Sequence, residues 1–147
     1  MKRFYISILS VVLASVLMAS CELETSGNGK LDGMWHLVGV DTLSTSGVKD
    51  TGKDKLYWMF QHDLLQLDDK MGVNKSILLR FKHSGGKLSV HSPYEYDRLE
   101  GDEPVTDVKL LAPYGVNALE EEFTVEGLSG GKMTLRSGDL RLRFRKI

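Results

Sequence analysis

Apolar and polar residues alternate along the last quarter of the chain with the period of two that half-buried β-strands show. The alternation runs through residues 122–126, 132–136 and 139–145. These segments are separated by the turn-forming pairs Gly130-Gly131 and Ser137-Gly138. The pattern therefore predicts three strands in an antiparallel meander.

A register for this meander follows from matching positions across the predicted strands. We take the first hairpin to turn about Ser129 and the second to use Ser137-Gly138 as a two-residue loop. The predicted pairs are then Glu126–Lys132, Val125–Met133, Arg136–Asp139 and Leu135–Leu140. Apolar side chains face each other and opposite charges are paired, which contributes roughly 0.2–1 kcal/mol per pair.

Further strands are predicted upstream. The Gly85-Gly86 pair is a favourable two-residue hairpin loop, and it sets Phe81 opposite Val90. Residues 56–69 are rich in strand-forming side chains and form either a hairpin or one bulged strand. Residues 44–54 read as a loop. Eight or nine short antiparallel strands between residues 32 and 147 indicate an all-β barrel or sandwich.

The N-terminal residues have a different character, with a basic start, an apolar stretch and small residues before Cys21. This layout is typical of a secretory signal peptide. The sequence Leu17-Met18-Ala19-Ser20-Cys21 resembles a bacterial lipobox. The resemblance implies that residues 1–20 are removed, that Cys21 is lipidated and that its acyl chains hold the protein on a membrane. Residues 21–31 would then form a flexible tether, and residues 32–147 the folded domain.

Location and partners follow from this interpretation. A lipobox implies the bacterial cell envelope, with the outer membrane favoured and the periplasmic or surface face left open. Removal of residues 1–20 takes away Lys2 and Arg3, which leaves 17 basic and 20 acidic residues and a net charge of −3. This balance indicates no nucleic-acid partner. The single cysteine excludes an internal disulfide.

Motifs for catalysis or metal binding are weak. The run from Gly127 to Gly131 matches Gly-x-Ser-x-Gly, but Ser129 lies in a predicted hairpin loop and not at a strand-to-helix turn. The four histidines lack the spacing of a zinc motif. We therefore expect no catalytic residue, no metal site and no cofactor, and hence no enzyme.

The mature chain resembles small bacterial lipoproteins that carry a lipocalin-like domain of unknown function. The resemblance rests on Gly33-Met34-Trp35, which opens the first strand, and on the alternating sequence from Met133 to Lys146. It implies an antiparallel up-and-down barrel of about eight strands. In lipocalins this tryptophan closes the base of the barrel, commonly with an arginine from near the end of the chain. The corresponding partner of Trp35 would be Arg143 or Arg145, although the strand alternation directs both outward.

The expected function is a non-enzymatic binding module for a small apolar or amphipathic ligand. The candidates for the barrel interior or the ligand lining are aromatic: Trp35, Tyr57, Trp58, Phe60, Phe81 and Phe123. Bulky side chains fill the interior of a small barrel more readily than they leave a cavity. The alternative is therefore a structural or protein-interaction lipoprotein with a filled core and a partner in the cell envelope.

Overall fold

The computed structural model describes residues 27–97 and 99–147. The signal peptide, Cys21 and most of the predicted tether lie outside the described residues. The strands are β1 (Gly33–Thr42), β2 (Gly47–Asp50), β3 (Leu56–Gln61), β4 (Leu64–Asp69), β5 (Ile77–Ser84), β6 (Lys87–Glu95), β7 (Glu103–Pro104), β8 (Glu121–Leu128), β9 (Lys132–Ser137) and β10 (Leu140–Lys146). Three single turns of 3₁₀ helix lie at Gly29–Leu31, Val108–Leu110 and Ala112–Tyr114. No helix in this part of the chain is long and apolar enough to cross a membrane.

Eight of the strands form a closed antiparallel barrel. Each of β3, β4, β5 and β6 pairs with the strand before it in the barrel, β8 follows β6, and β9 and β10 complete the ring by returning to β1. The short strands β2 and β7 add to β1 and β6 outside this ring. The predicted up-and-down barrel is therefore confirmed. Closure matters because it leaves no unpaired strand edge in the ring.

The barrel has a lower and an upper end. The lower end carries the start of β1 at Gly33 and the hairpin loops 62–63, 85–86 and 129–131. The upper end carries the long connections 43–55, 70–76 and 96–120, and the short β9–β10 loop.

The barrel interior is filled by side chains. The ring of Trp58 lies 5.6 Å from that of Phe123 and 5.0 Å from that of Phe144, between centroids. Phe60 contacts Phe81 edge-on at 5.0 Å. These five residues have at most 7% of their surface exposed. The stack of aromatic rings occupies the space where other barrels of this size hold a ligand.

Trp35 closes the lower end of the barrel. It is fully buried, and its indole Nε1 donates to the carbonyl of Leu31 at 2.9 Å. The prediction of an arginine partner for Trp35 is wrong. The Nζ of Lys146 lies over the Trp35 ring instead, 5.1 Å from its centroid. Arg143 instead lies on the outer surface, where its Nε is 3.0 Å from Asp41 Oδ2, and Arg145 is exposed. The alternation along β10 thus gave the correct direction for both arginines.

The register of the C-terminal meander differs from the prediction. Leu128 pairs with Met133 and Val125 with Leu135, with a bulge between Val125 and Gly127. The second hairpin pairs Leu142 with Leu135, which is two residues away from the predicted pair. A shift of two residues keeps the same side chains inside, because side chains alternate with a period of two. The predicted partners themselves change for apolar and charged residues alike, and Arg141 forms an ion pair with Glu126.

Three further predictions, for the hairpin at 85–86, for residues 56–69 and for the loop 44–54, can be compared with the structure. Phe81 pairs with Val90 as predicted, and residues 56–69 form a hairpin with a loop at 62–63. The predicted loop 44–54 contains β2, which pairs with the upper half of β1.

Tyr57 is the one aromatic candidate that does not face the interior. It is only partly buried, and its ring stacks on His36 with centroids 4.9 Å apart. The reason is its position next to Trp58, since neighbouring strand residues point to opposite faces.

The folded domain begins earlier than predicted. The tether was expected to extend to residue 31, but Gly29–Leu31 form a 3₁₀ turn and Leu31 is fully buried. The side-chain amide of Asn28 also donates to the carbonyl of His62 at 2.6 Å. Leu31 is the apolar residue that ends the polar stretch, and it packs beneath Trp35 as part of the core.

Candidate ligand site at the upper end of the barrel

A cleft of about 310 Å³ lies at the upper end, outside the filled interior. Its walls come from β2 and the loop after it, from the β4–β5 loop and from the connection between β7 and β8. The lining residues are Val40, Lys49, Thr51, Asp54, Lys55, Leu56, Asp69, Met71, Val73, Asn74, Ala112, Pro113, Gly115, Asn117 and Leu140. A volume of this size is at the lower end of the range found for small-molecule sites.

The cleft is shaped by residues 105–117, which we call the cap segment. Val105, Leu111, Tyr114 and Val116 of this segment are buried in the barrel core. Their apolar side chains hold the segment over the upper end, while its second 3₁₀ turn presents Ala112 and Pro113 to the cleft.

Tyr114 fixes the cap segment to two other elements. Its backbone carbonyl accepts from the indole Nε1 of Trp58 at 3.0 Å, and its hydroxyl donates to the carbonyl of Lys75 at 2.8 Å. Burial raises the pKa of the Tyr114 hydroxyl, and the nearby carboxylates of Asp69 and Asp68 raise it further. The hydroxyl therefore stays protonated and available as a donor.

Asp69 organises the opposite wall of the cleft. Its carboxylate accepts from the backbone N–H of Met71 at 2.8 Å and from the backbone N–H of Asn74 at 2.9 Å. Burial raises the pKa of Asp69, but these hydrogen bonds outweigh it and hold the pKa below its ordinary value. The folded loop that results exposes the side chains of Met71 and Val73 at the rim.

The cleft combines apolar walls with basic groups. Lys49 and Lys55 line it, both are exposed, and neither forms an ion pair within residues 27–97 and 99–147. The lining also contains two acids, of which Asp69 is engaged by its own loop and Asp54 is exposed. The arrangement suits a small molecule with an apolar body and a negatively charged group.

The sequence-predicted aromatic residues do not line this cleft. Trp35, Trp58, Phe60, Phe81 and Phe123 are packed together in the core, and Tyr57 lies on the outer surface. The residues of the cleft were missed because they come from loops. One signal was present, since Met71 and Val73 are apolar residues in an otherwise polar turn sequence.

Groups suited to catalysis or metal binding are scattered. Among the residues that the structure describes, no three His, Cys, Asp or Glu side chains are placed to hold a metal ion. Ser129 lies in the β8–β9 loop, where its Oγ accepts from the backbone N–H of Lys132 at 3.1 Å. It therefore serves as a turn residue.

Comparison with known proteins agrees with this architecture. The family model of the lipocalin-like domain matches residues 16–147. The crystal structure of a lipocalin-like protein from Bacteroides uniformis superposes with a TM-score of 0.63 at 20% identity, covering 81% of this chain and 100% of that one. An uncharacterized protein from Bacteroides eggerthii gives a TM-score of 0.55 at 20% identity, covering 79% of this chain and 98% of that one. No match is found among curated proteins. Since the family model spans most of the chain, the protein belongs to the lipocalin-like domain family.

Proposed function

We propose that this domain is a non-enzymatic binding module, held on a membrane of the bacterial cell envelope by acyl chains on Cys21. Its ligand is a small amphipathic anion that binds in the cleft at the upper end. The lipobox-like sequence before Cys21 supports the anchor, and the lipocalin-like family supports a binding role.

One observation carries the proposal about the ligand. The interior is filled by aromatic rings, whereas the cleft above it is open, partly apolar and lined by Lys49 and Lys55. A ligand body would rest on Met71, Val73 and Pro113, and its anionic group would meet the two ammonium groups. Hydrogen bonds to charged groups are worth about 1.5–3 kcal/mol, so the lysines would set much of the affinity.

Titration with decanoate tests this proposal, with decanol as the uncharged analogue. The protein is the mature chain with Cys21→Ser, so that no acyl chain competes for the probe. We expect the backbone amides of Gly115 and Asn117 to shift in NMR spectra with decanoate, and to shift much less with decanol. The double substitution Lys49→Ala and Lys55→Ala should weaken decanoate binding by at least about tenfold.

Lys53 and Lys109 offer a matched control. Both are exposed at the upper end but do not line the cleft, so the double substitution Lys53→Ala and Lys109→Ala should leave the affinity for decanoate unchanged. Equal weakening by both variants would show that the lysines act only through net charge. Shifts confined to interior amides near Trp58 would place the ligand inside the barrel and contradict the proposal.

The filled interior also favours a second candidate, a lipoprotein that binds an envelope protein. An outer groove at β4–β6 is lined by Leu64, Leu78 and Tyr94, and Leu64 and Tyr94 are exposed. A photo-crosslinking residue at Tyr94 should then capture one defined protein in cells, whereas the same residue at Val48 should not. Identical crosslinks from the two positions would argue against this candidate.

A further inference from the structure

The described chain starts at the lower end of the barrel. Gly27 precedes Asn28, which is tied to the carbonyl of His62 in the β3–β4 loop. Six residue steps separate Cys21 from Gly27, and a fully extended chain covers at most about 22 Å in that length. If Cys21 carries the acyl chains, the lower end stays close to the membrane surface. The cleft lies at the other end of the barrel.

The lower end is also rich in basic side chains. Those within its loops, its 3₁₀ turn and the adjoining strand ends are Lys30, Lys82, Lys87, Lys132, Arg145 and Lys146. None of them forms an ion pair within the described part of the chain. All but Lys146 are exposed.

The acids at the lower end are fewer and are largely engaged. Asp63 pairs with Arg80 at 2.6 Å and Glu126 pairs with Arg141 at 2.7 Å. Asp32 accepts a hydrogen bond from the side-chain amide of Asn28 at 2.8 Å. The lower end therefore carries a net positive charge.

The upper end has a small excess of acidic residues instead. The sequence of its connections 43–55, 70–76, 96–120 and 138–139 contains nine acidic and seven basic residues, and six of the acids fall between residues 97 and 120. The charges of the domain are thus separated along the barrel axis. The net charge near zero conceals this separation, since the basic residues of the lower end come from distant parts of the sequence.

We propose that the lower end of the barrel is a membrane-facing surface that contacts anionic lipid headgroups beside the acyl chains of Cys21. This inference rests on the proposed anchor. A surface of anionic lipid attracts Lys and Arg side chains that come within about a Debye length of it, near 8 Å at physiological ionic strength, and repels acidic ones. The domain therefore stands with its lower end on the bilayer, and the cleft opens away from the membrane.

Site-specific labelling of the full chain tests this orientation. Acylation consumes the only cysteine of the sequence, so an introduced cysteine reacts alone with a fluorophore. Ser84→Cys places the label at the lower end and Thr106→Cys places it near the upper end, both at exposed positions. The lipidated proteins are reconstituted into vesicles of phosphatidylcholine with 30% phosphatidylglycerol, or of phosphatidylcholine alone, that carry a headgroup-located quencher.

We expect quenching of the Ser84→Cys label to exceed that of the Thr106→Cys label several-fold in the anionic vesicles, and the difference to fall in neutral vesicles. Adding Lys30→Glu and Lys132→Glu should lower the excess in anionic vesicles to the level seen in neutral vesicles. The matched pair Lys53→Glu and Lys109→Glu, which changes the net charge equally, should not.

Equal quenching of the two labels, or stronger quenching of the Thr106→Cys label, would overturn the membrane-facing surface. An equal effect of the two charge-reversal pairs would overturn it as well. If the lower end served a protein partner instead, its label would be quenched equally on anionic and neutral protein-free vesicles. Flotation separates this failure from that of the anchor, since a chain without acyl groups stays in the aqueous fraction and overturns both proposals.

Discussion

Gly115 shows how one residue allows the cap segment to close the barrel. Its φ of +87° lies in the left-handed region that favours glycine. A Cβ at this position would meet Leu142 Cδ2 at 2.7 Å, in the packed core. The position therefore excludes a side chain both by conformation and by space.

We expect Gly115→Ala to lower the free energy of unfolding by about 2–5 kcal/mol. Left-handed backbone costs an alanine roughly 1–2 kcal/mol, and overpacking of the core adds about 1–3 kcal/mol. Urea unfolding measures the change. Gly130→Ala is the control, because nothing lies within 4 Å of its Cβ, and its effect should stay within about 0.5 kcal/mol. Similar losses in the two variants would contradict the assigned cause.

The lowered pKa of Asp69 predicts how the free energy of unfolding depends on pH. Because its pKa is lowered in the folded state, its stabilising contribution is fully present above the unfolded pKa of about 3.9 and is lost as pH falls through the lower folded pKa. Asp69→Asn should thus be less stable than wild type at pH 7. The difference should shrink between about pH 4 and pH 2, as measured by urea unfolding at each pH.

Glu121 provides a control of opposite sign. Burial raises its pKa, although the backbone N–H of Asn117 donates to its carboxylate at 2.7 Å. The folded state therefore binds a proton more readily than the unfolded state, so Glu121→Gln should gain stability relative to wild type at neutral pH. That gain should disappear as pH falls through the raised pKa. A parallel pH dependence for both variants would show that the profile reflects net charge alone.

At the scale of elements, hairpin geometry was predictable where a turn fixes the register. The Gly85-Gly86 loop gave the correct pairing of Phe81 with Val90. The predicted register of the β8–β9 hairpin was wrong because the turn follows Leu128, which pairs with Met133 in place of the predicted Val125. A bulge between Val125 and Gly127 then shifts the register by one residue. Such bulges leave little trace in the alternation of side chains.

Sequence patterns predicted less about the cap segment than about any strand of the barrel. The sequence of residues 107–111 is compatible with either a strand or a helical turn, and only tertiary contacts decide between them. Trp58 supplies one such contact across 56 residues of sequence. The cleft walls consequently could not be placed before the structure was known.

Tyr114→Phe tests how the cap segment is held. The substitution removes the hydrogen bond to the carbonyl of Lys75 and keeps the buried ring, so we expect a loss of about 0.5–1.5 kcal/mol. Hydrogen exchange of amides in residues 105–117 should accelerate, while exchange in β9 and β10 stays nearly unchanged. Tyr94→Phe, at an exposed tyrosine, should change neither. Uniform acceleration in every strand would mean that the segment opens only with the whole barrel.

At the scale of the whole molecule, the sequence predicted the fold better than the site. Alternation along the strands was enough to predict an all-β barrel. Five of the six aromatic candidates for the interior do lie in the core. It did not show whether those rings leave a cavity, because that depends on how they meet across the barrel. The contact of Lys146 with Trp35 was not predicted, because the residue at this position is a lysine and not the arginine that the resemblance implied.

A filled interior makes a quantitative prediction about two aromatic residues. Phe123 is buried against Trp58, so Phe123→Ala should lower the free energy of unfolding by about 3–5 kcal/mol through lost burial and a new cavity. Tyr57 lies on the outer face against His36, and Tyr57→Ala should cost much less, about 1 kcal/mol. Chemical denaturation of both variants measures the contrast. An interior built to hold a ligand would contain loosely packed side chains, and Phe123→Ala would then cost little more than Tyr57→Ala. A large difference between the two supports a solid barrel interior, which the proposed binding surface at the upper end requires.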